Sequence, residues 1–415
     1  MKRLCFIVCC LSVITLDAQA DLRHMQYNLT LFGNPFACNE TTNNTSDKEG
    51  WLSQIVDYSQ PDVLCVNEMA DSDFYADRLL NNALNVGGMT QWSRAELTDF
   101  ATTSSIVNAF YYRSDKFELH EQVYINQALD GSYLLRPTDF YTIYPIPVVG
   151  DTTFITFAVV HLAASDENER ADQTEATMAE IQERGFENVI FSGDLNIDSS
   201  SEEAFQNLLF PSDESYAMRD PVDALGTWHN NGFYSDYHTQ STRFNDTNSG
   251  CFSPGGLDDR FDMTLVTDAI LNGTNGVTYL MDSYRVLGQG GNSYNSELPT
   301  TNNGDVPDEV ALALYEMSDH LPVLTDFVVE GIVSLTEDEK RPFQLVNPMQ
   351  DILRIQTAAL TKGALRLFDL SGRVVLAHQG SFEAPQNVTH LIPGLYLLRL
   401  DTEDGRTFVE KVVKR

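Results

Sequence analysis

Apolar and polar positions along the chain follow two different periods. Short runs that are apolar at nearly every position predict buried strands at Met25–Phe32, Val63–Val66, Ala109–Arg113, Phe154–Val160, Val189–Phe191, Phe261–Val266 and Val323–Val329. Between them, helix-like stretches cover Lys48–Ser59, Phe74–Leu84, Asn168–Arg184 and Ser201–Leu209. The last opens on a serine run followed by Glu202 and Glu203, which suits a capped helix start. Consecutive strands with intervening helices predict an α/β or α+β sandwich of stacked sheets. Two long stretches, roughly Ser212–Gly256 and Met281–Glu316, carry little periodicity and are rich in Asn, Ser, Gly and aromatic residues. Loops of that length in a compact domain are functional or disordered.

The pattern changes at Glu337–Pro342 (EDEKRP). Beyond it come short alternating strands with turns and no helical spacing, which predict a small all-β, immunoglobulin-like sandwich. The expected organisation is therefore a catalytic-sized domain over 21–334, a linker over 335–341 and a C-terminal domain over 342–415.

Composition adds a destination. Lys2 and Arg3, the apolar run Leu4–Leu16 and Ala18-Gln19-Ala20 read as a secretory signal peptide over residues 1–20, too short for a membrane span. No other apolar run is long enough to cross a bilayer. The mature chain keeps Cys38, Cys65 and Cys251. Cys65 lies in an apolar strand pattern and reads as a buried free thiol. Cys38 and Cys251 lie in polar, loop-like sequence and are available for one disulfide in an oxidising compartment.

The formal charge is −34. From Pro342 to Arg415 there are nine Lys/Arg against seven Asp/Glu, so the rest of the chain carries the whole excess. Such a surface repels nucleic acid and anionic membranes in dilute salt, and the repulsion is screened in saline surroundings. No basic groove is visible.

The strands end on groups that resist burial. Asn28 follows Met25-Gln26-Tyr27 in the first, Glu68 follows DVLCVN, His161 follows FAVV, and Asp194 and Asn196 follow VIFSG. Asp262 stands in RFDMTLV, and Asp319-His320 precede LPVLTDFVV. A lone GDxN is an ordinary turn after a strand. Many polar strand ends in a layered α/β domain can converge on one rim, where such folds place ligand sites. Gly193 in GDLN fits a close backbone approach to substrate at that rim.

In this order the motifs YN, NE, H, GDLN, RFD and SDH, spanning about Met25 to Val329, resemble the endonuclease/exonuclease/phosphatase superfamily, which includes DNase I-like nucleases, sphingomyelinases and inositol-polyphosphate phosphatases. The resemblance implies a four-layer α/β sandwich of two mixed sheets flanked by helices. It implies a divalent cation, Mg²⁺ or else Mn²⁺ or Ca²⁺, held by Glu68 with Asn28 and Asp319. It further implies His320 acting on the phosphate and oriented by Asp262, Asp194 orienting the attacking water, Asn196 donating to the charged oxygen, and His161 protonating the leaving group. One departure stands out: Thr102–Arg113 contains no acid to pair with His161. Trp228, His229 and Arg260, in or beside the first aperiodic stretch, are expected to touch substrate.

The tail, with LVNPMQDILRI, LRLFDLSGRVV, PGLYLLRL and the basic end EKVVKR, resembles the C-terminal sorting domain of the type IX secretion system of Bacteroidetes. It implies the secretion machinery as partner and a secreted or cell-surface location after passage through the periplasm. The resulting expectation is a secreted, metal-dependent phosphodiesterase with endonuclease-like character. The alternatives are a phosphomonoesterase or sphingomyelinase-like enzyme on a small or lipid substrate, and an inactive surface-binding protein on the same fold.

Overall fold

The computed structural model describes residues 21–34, 38–88, 90–98, 105–146, 152–247, 250–330, 343–345, 349–357, 362–369, 373–382, 384–402 and 407–415. The expected signal peptide (1–20) and linker (335–341) lie outside them. The chain divides into two compact units, Met1–Ile332 and Val333–Arg415.

The first unit is built around two parallel strand pairs, each joined by a helix. In the first, β1 (Leu22–Phe32) leads through α1 (Thr45–Ser59) to β2 (Val63–Ala70). In the second, β7 (Ile155–His161) leads through α3 (Glu167–Arg184) to β8 (Val189–Asp194). Asn44 caps α1 and Asp166 caps α3 with side-chain oxygens, and Gly185 ends α3 in the left-handed conformation that glycine adopts without strain. Antiparallel partners extend each pair. One sheet also uses β3 (Trp92–Arg94), β4 (Ile106–Arg113), β11 (Val277–Tyr279), β12 (Arg285–Val286) and β13 (Val323–Val329), in the order β11-β13-β1-β2-β4-β3 with β12 on β13. The other adds β5 (Phe117–Gln127), β6 (Tyr133–Pro145), β9 (Met218–Arg219) and β10 (Asp262–Thr267), in the order β5-β6-β7-β8-β10-β9.

The continuous apolar runs are explained by this stacking. β7, β8 and β10 are buried at every position, because one face meets the other sheet and the opposite face meets helices. Met25, Cys65, Phe110, Tyr141, Phe157 and Ile190 belong to one core cluster that unites the two sheets. Phe191, Met178, Ile181 and Phe205 form a second, which joins β8 to α3 and α4 (Glu203–Leu209). Gly193 is required inside this packing: a Cβ there would stand 1.8 Å from the Val160 carbonyl oxygen. Its close approach is therefore to the neighbouring strand, and the expectation of an approach to substrate is corrected.

Several elements escape the hydrophobic pattern, the long strand β6 and the short β3, β9, β11 and β12 among them. β5 is an edge strand with mostly partial exposure and carries Glu118 and Glu121, so it shows no apolar run. The second aperiodic stretch closes in a real helix, α6 (Asp308–Met317), which packs against α1. It buries Val310, Ala311, Leu314 and Met317 and has Asp308 and Glu309 in its first turn.

The second unit is all-β. β17 (Lys362–Phe368), β18 (Val374–Ser381), β20 (Gly394–Thr402) and β21 (Thr407–Lys414) form an antiparallel sheet in the order β18-β17-β20-β21. Two short pairs accompany it: β14 (Phe343–Leu345) with β16 (Ile355–Thr357), and β15 (Ile352–Leu353) with β19 (Gln386–Asn387). Alternate residues of β17 and β20 bury Leu365, Leu367, Tyr396, Leu398 and Leu400 in one core.

Candidate active site

Three of the expected residues sit side by side. His161 ends β7, Asp194 ends β8 and Asp262 begins β10, and the sheet register pairs His161 with Asp194 and Asp194 with Asp262. His161 Nε2 lies 3.5 Å from Asp194 Oδ2 and 4.0 Å from Glu68 Oε1. Asn28 bridges the sheets from the other side: its Nδ2 donates to Asp194 Oδ2 at 2.9 Å and to Glu68 Oε1 at 3.2 Å. Glu68, His161 and Asp194 offer ligand atoms that all lie within 4.8 Å of one another.

Glu68 reaches this point through an irregular turn. Between Asn28 and Phe32 the pairing of β1 with β2 shifts register, and Thr30 and Leu31 take left-handed φ values of 44° and 55°. For residues with side chains of this bulk that conformation is strained, and the surroundings hold it. Asn28 Oδ1 accepts from the Thr30 N–H, Lys48 Nζ donates to the carbonyls of Leu29 and Thr30, and Asn43 Nδ2 donates to those of Thr30 and Leu31. The turn leaves the Leu31 N–H free to donate to Glu68 Oε2 at 2.9 Å. Glu68 itself sits at φ 60°.

His320 enters from the loop before β13. Its Nδ1 lies 2.6 Å from Asp262 Oδ2, and its Nε2 faces Asp194 Oδ2 at 3.9 Å and Gln240 Nε2 at 2.7 Å. Asp319 is fully engaged by protein: Thr30 Oγ1 donates to Oδ1, while the Ser253 N–H and Gln240 Nε2 reach Oδ2 at 2.8 and 3.3 Å. Asn196, at φ 51°, donates its amide to the Leu162 carbonyl at 3.2 Å and its N–H to Asp194 Oδ1.

Burial sets the electrostatics. It pushes Asp194 up to about 7; His320 opposes this, and Asp262 and Glu68 reinforce it. Burial also raises Glu68. His161 is held well below the ordinary histidine value by burial and by the positive charges of Arg136 and His320. For His320, burial alone would lower the pKa, yet Asp262, Asp194 and Asp319 outweigh it and raise it well above the ordinary value. The Gln240 contact is a hydrogen bond only with the neutral ring, in which Nδ1–H is given to Asp262 and Nε2 accepts; the raised pKa favours the protonated ring, which offers Gln240 Nε2 no acceptor. Protonating Nε2 turns that acceptor into a donor and breaks the bond to Gln240.

Arg136 was missed by the motif reading. It stands in β6, and its Nη1 donates to the Leu162 carbonyl at 2.9 Å. Its Nε is buried without a hydrogen-bond partner, and its charge acts on Glu68, Asp194 and His161. The available signal was one arginine inside the apolar run YLLRPTDFYTIY. Gln240, in the first aperiodic stretch, was also missed and had no local signal. Beneath the rim, Asn67 Oδ1 accepts from the Asp194 N–H at 2.9 Å, and Asn67 Nδ2 donates to Asn108, which donates to Asp139. β4 thus offers Asn108 where an acid was lacking, and the acid nearest His161 is Asp194 itself.

Two expected substrate contacts are corrected. Trp228 is fully buried, donates its indole N–H to the Ala224 carbonyl and packs edge-on to Phe205. Arg260 is fully buried in a two-pronged ion pair with Asp220. Neither can reach a ligand. His229 is about half exposed, 2.6 Å from Asp259, and groups with Asp198 and Asp259. Cys38 and Cys251 are joined by a disulfide, and Cys65 is buried and free.

Residues 347–415 match the family described as secretion system C-terminal sorting domain. A chain carrying it is a secreted or cell-surface protein. No helix among the described residues is long and apolar enough to cross a membrane. No curated protein matches the chain by sequence. Solved structures are similar to the chain at low identity. One is an endonuclease/exonuclease/phosphatase family protein from Bacteroides thetaiotaomicron, at 16% identity, covering 74% of this chain and 98% of that one with a TM-score of 0.46. Another is a mannosyl-6-phosphatase from the same organism, at 15% identity, covering 74% and 99% with a TM-score of 0.46. A third is the human Nocturnin catalytic domain with bound sulfate, at 14%, covering 74% and 94% with a TM-score of 0.44.

Proposed function

We propose that the first unit is a divalent-cation-dependent hydrolase of phosphoester bonds, acting on a phosphodiester in the manner of a nuclease. The observation that carries this reading is the convergence of His161, Asp194 and Asp262, in register on adjacent strands, with Glu68 and His320 from the opposite sheet and its entry loop.

The donor set suits a hard cation. Glu68 Oε1 and Asp194 Oδ2 are carboxylate oxygens beside the Asn28 amide, whereas no Cys/His cluster among the described residues suits zinc. Glu68, with Asn28 once its amide turns its oxygen from the Thr30 N–H and with Asp319 once its present partners yield, would hold Mg²⁺ or Mn²⁺. A cation held by these residues would supply polarisation of a phosphoryl oxygen and neutralisation of developing charge.

The remaining roles belong to side chains. Asp194, with its pKa raised to about 7, is poised to take a proton from water near neutral pH. Asp262 holds the His320 ring so that Nε2 faces the phosphoryl oxygen. Arg136 supplies a cation with an unfilled N–H beside the carboxylates, suited to offset a phosphate's charge. Asn196 donates its amide to the oxygen that gains charge. His161 is neutral as it stands, so it serves the leaving oxygen as an N–H donor and becomes an acid only when the substrate's negative charge raises its affinity for a proton.

A second reading, a small or zwitterionic lipid phosphodiester, is favoured by the net charge of −34, which repels a polyanion. Purified protein with Mg²⁺ or Mn²⁺ is expected to hydrolyse bis(p-nitrophenyl) phosphate, and EDTA to stop it. Duplex DNA against sphingomyelin vesicles then separates the two substrates. Unchanged activity in both Asp194→Ala and His320→Ala would overturn the mechanism.

A further inference from the structure

We propose that Gln240 is a phosphoryl-binding residue, an amide donor held between His320 and Asp319 and turned to the substrate when those two groups are engaged; the inference rests on the phosphoester reading above.

Placement comes first. Gln240 lies in a stretch without sequence periodicity, yet its backbone is clamped on two sides. On one side the Leu321 N–H donates to Thr239 O at 2.8 Å and the Thr242 N–H to Asp319 O at 2.9 Å. On the other, Gln240 O accepts from the N–H groups of Asp258 and Asp259 at 3.0 and 3.1 Å. The segment therefore runs as an extended bridge between the loop that carries His320 and the approach to Asp262.

The side chain then touches the two atoms the reaction uses. Its Nε2 lies 2.7 Å from His320 Nε2 and 3.3 Å from Asp319 Oδ2. A carboxylate only accepts, so the amide nitrogen, with its two N–H groups, occupies this vertex. When His320 Nε2 turns to a phosphoryl oxygen and Asp319 to a cation, both N–H groups lose their acceptors. The clamped backbone keeps them within reach of the same oxygen. With the backbone clamped, only the side chain has to turn, and a neutral donor that then meets developing charge stabilises it; removing one donor of this kind lowers kcat by about 10²–10³-fold.

The test uses the full-length protein with Mn²⁺ and bis(p-nitrophenyl) phosphate, comparing Gln240→Met, which keeps length and removes both donors, with Gln240→Glu, Gln240→Asn and His320→Ala. Expected are a fall in kcat of about 10²-fold for Gln240→Met, little change in KM, unchanged Mn²⁺ affinity by calorimetry and an unchanged Tm. Gln240→Glu should fall further, and Gln240→Asn should recover part of the loss. In the metal-free protein, the ¹⁵N shift of His320 Nε2 should move in Gln240→Met as its hydrogen bond is lost. A Gln240→Met enzyme within twofold of wild type, beside an inactive His320→Ala, overturns this inference and leaves the phosphoester reading standing. So does a loss of activity matched by a loss of folded protein. A wild-type protein that neither binds Mn²⁺ nor hydrolyses any phosphoester overturns the parent reading and this inference with it.

Discussion

His320 Nδ1 lies 2.6 Å from Asp262 Oδ2, and both side chains are almost wholly removed from water. Asp262 Oδ1 has no hydrogen-bond partner, so the carboxylate is committed to the ring on one side and left bare on the other. A bare buried oxygen is costly, and its retention is understandable if the charge serves His320. Replacing the carboxylate with an amide lets the ring take the wrong tautomer. Asp262→Asn is expected to lower kcat about 10³-fold with Tm little changed. A loss below tenfold in steady-state kinetics would remove Asp262 from the proposed machinery.

Glu68 is placed by strain at Thr30 and Leu31, and its Oε1 is the oxygen that faces His161. Glu68→Gln keeps the shape and the bond from the Leu31 N–H while removing the charge a cation needs. Mn²⁺ affinity by calorimetry is expected to fall more than tenfold, and EDTA to abolish wild-type turnover. Wild-type affinity in Glu68→Gln would place the cation elsewhere, and the Asp198, His229 and Asp259 group would be the next place to look.

His24 gives a pH signature independent of catalysis. It is fully buried between Thr325 and Ser192, and burial pulls its pKa down to about 3 from 6.5. The unfolded chain therefore takes up the proton long before the folded one. This group's contribution is complete above pH 6.5 and is lost as pH falls toward 3, at up to about 1.4 kcal/mol per pH unit. Urea denaturation of wild type between pH 6.5 and 4.5 should show that slope. His24→Leu should start about 1–3 kcal/mol lower, having left two hydroxyls unpaired, and decline less steeply by one proton. Parallel slopes would mean that His24 is protonated in the fold.

The central strands were legible because burial on both faces leaves an unbroken apolar run, and their polar ends then stand out. Asp194 after VIFSG and His161 after FAVV are visible for that reason. Edge strand β5 lacks that contrast. Gln240 and Asn108 were invisible for a different reason: each matters through a partner distant in sequence, His320 for Gln240 and Asp139 for Asn108, while Asn67 stood in the NE motif without the role its bond from the Asp194 N–H gives it. Arg136 was legible in principle as a charge inside an apolar run. Trp228 and Arg260 were misplaced because a loop rich in aromatic and polar residues resembles a ligand surface until its packing is seen.

Arg260 shows what that loop does with such residues. Its guanidinium meets Asp220 at 2.8 and 2.9 Å and lies within 5.5 Å of the ring centres of Trp228, Tyr237 and Tyr284. Asp220 also accepts from the Val222 and Ala224 N–H groups, so one carboxylate organises both the arginine and the chain leading to Trp228. Removing it strands a cation among rings with no water to solvate it. Asp220→Ala is expected to cost about 3–5 kcal/mol in urea denaturation. The surviving folded enzyme should keep its KM, because Arg260 faces the core. Asp220→Asn should cost less, since the amide oxygen still accepts from one N–H group. A raised KM at unchanged stability would return Arg260 to the substrate surface; loss of stability at constant KM assigns the pair to holding the loop that carries Gln240.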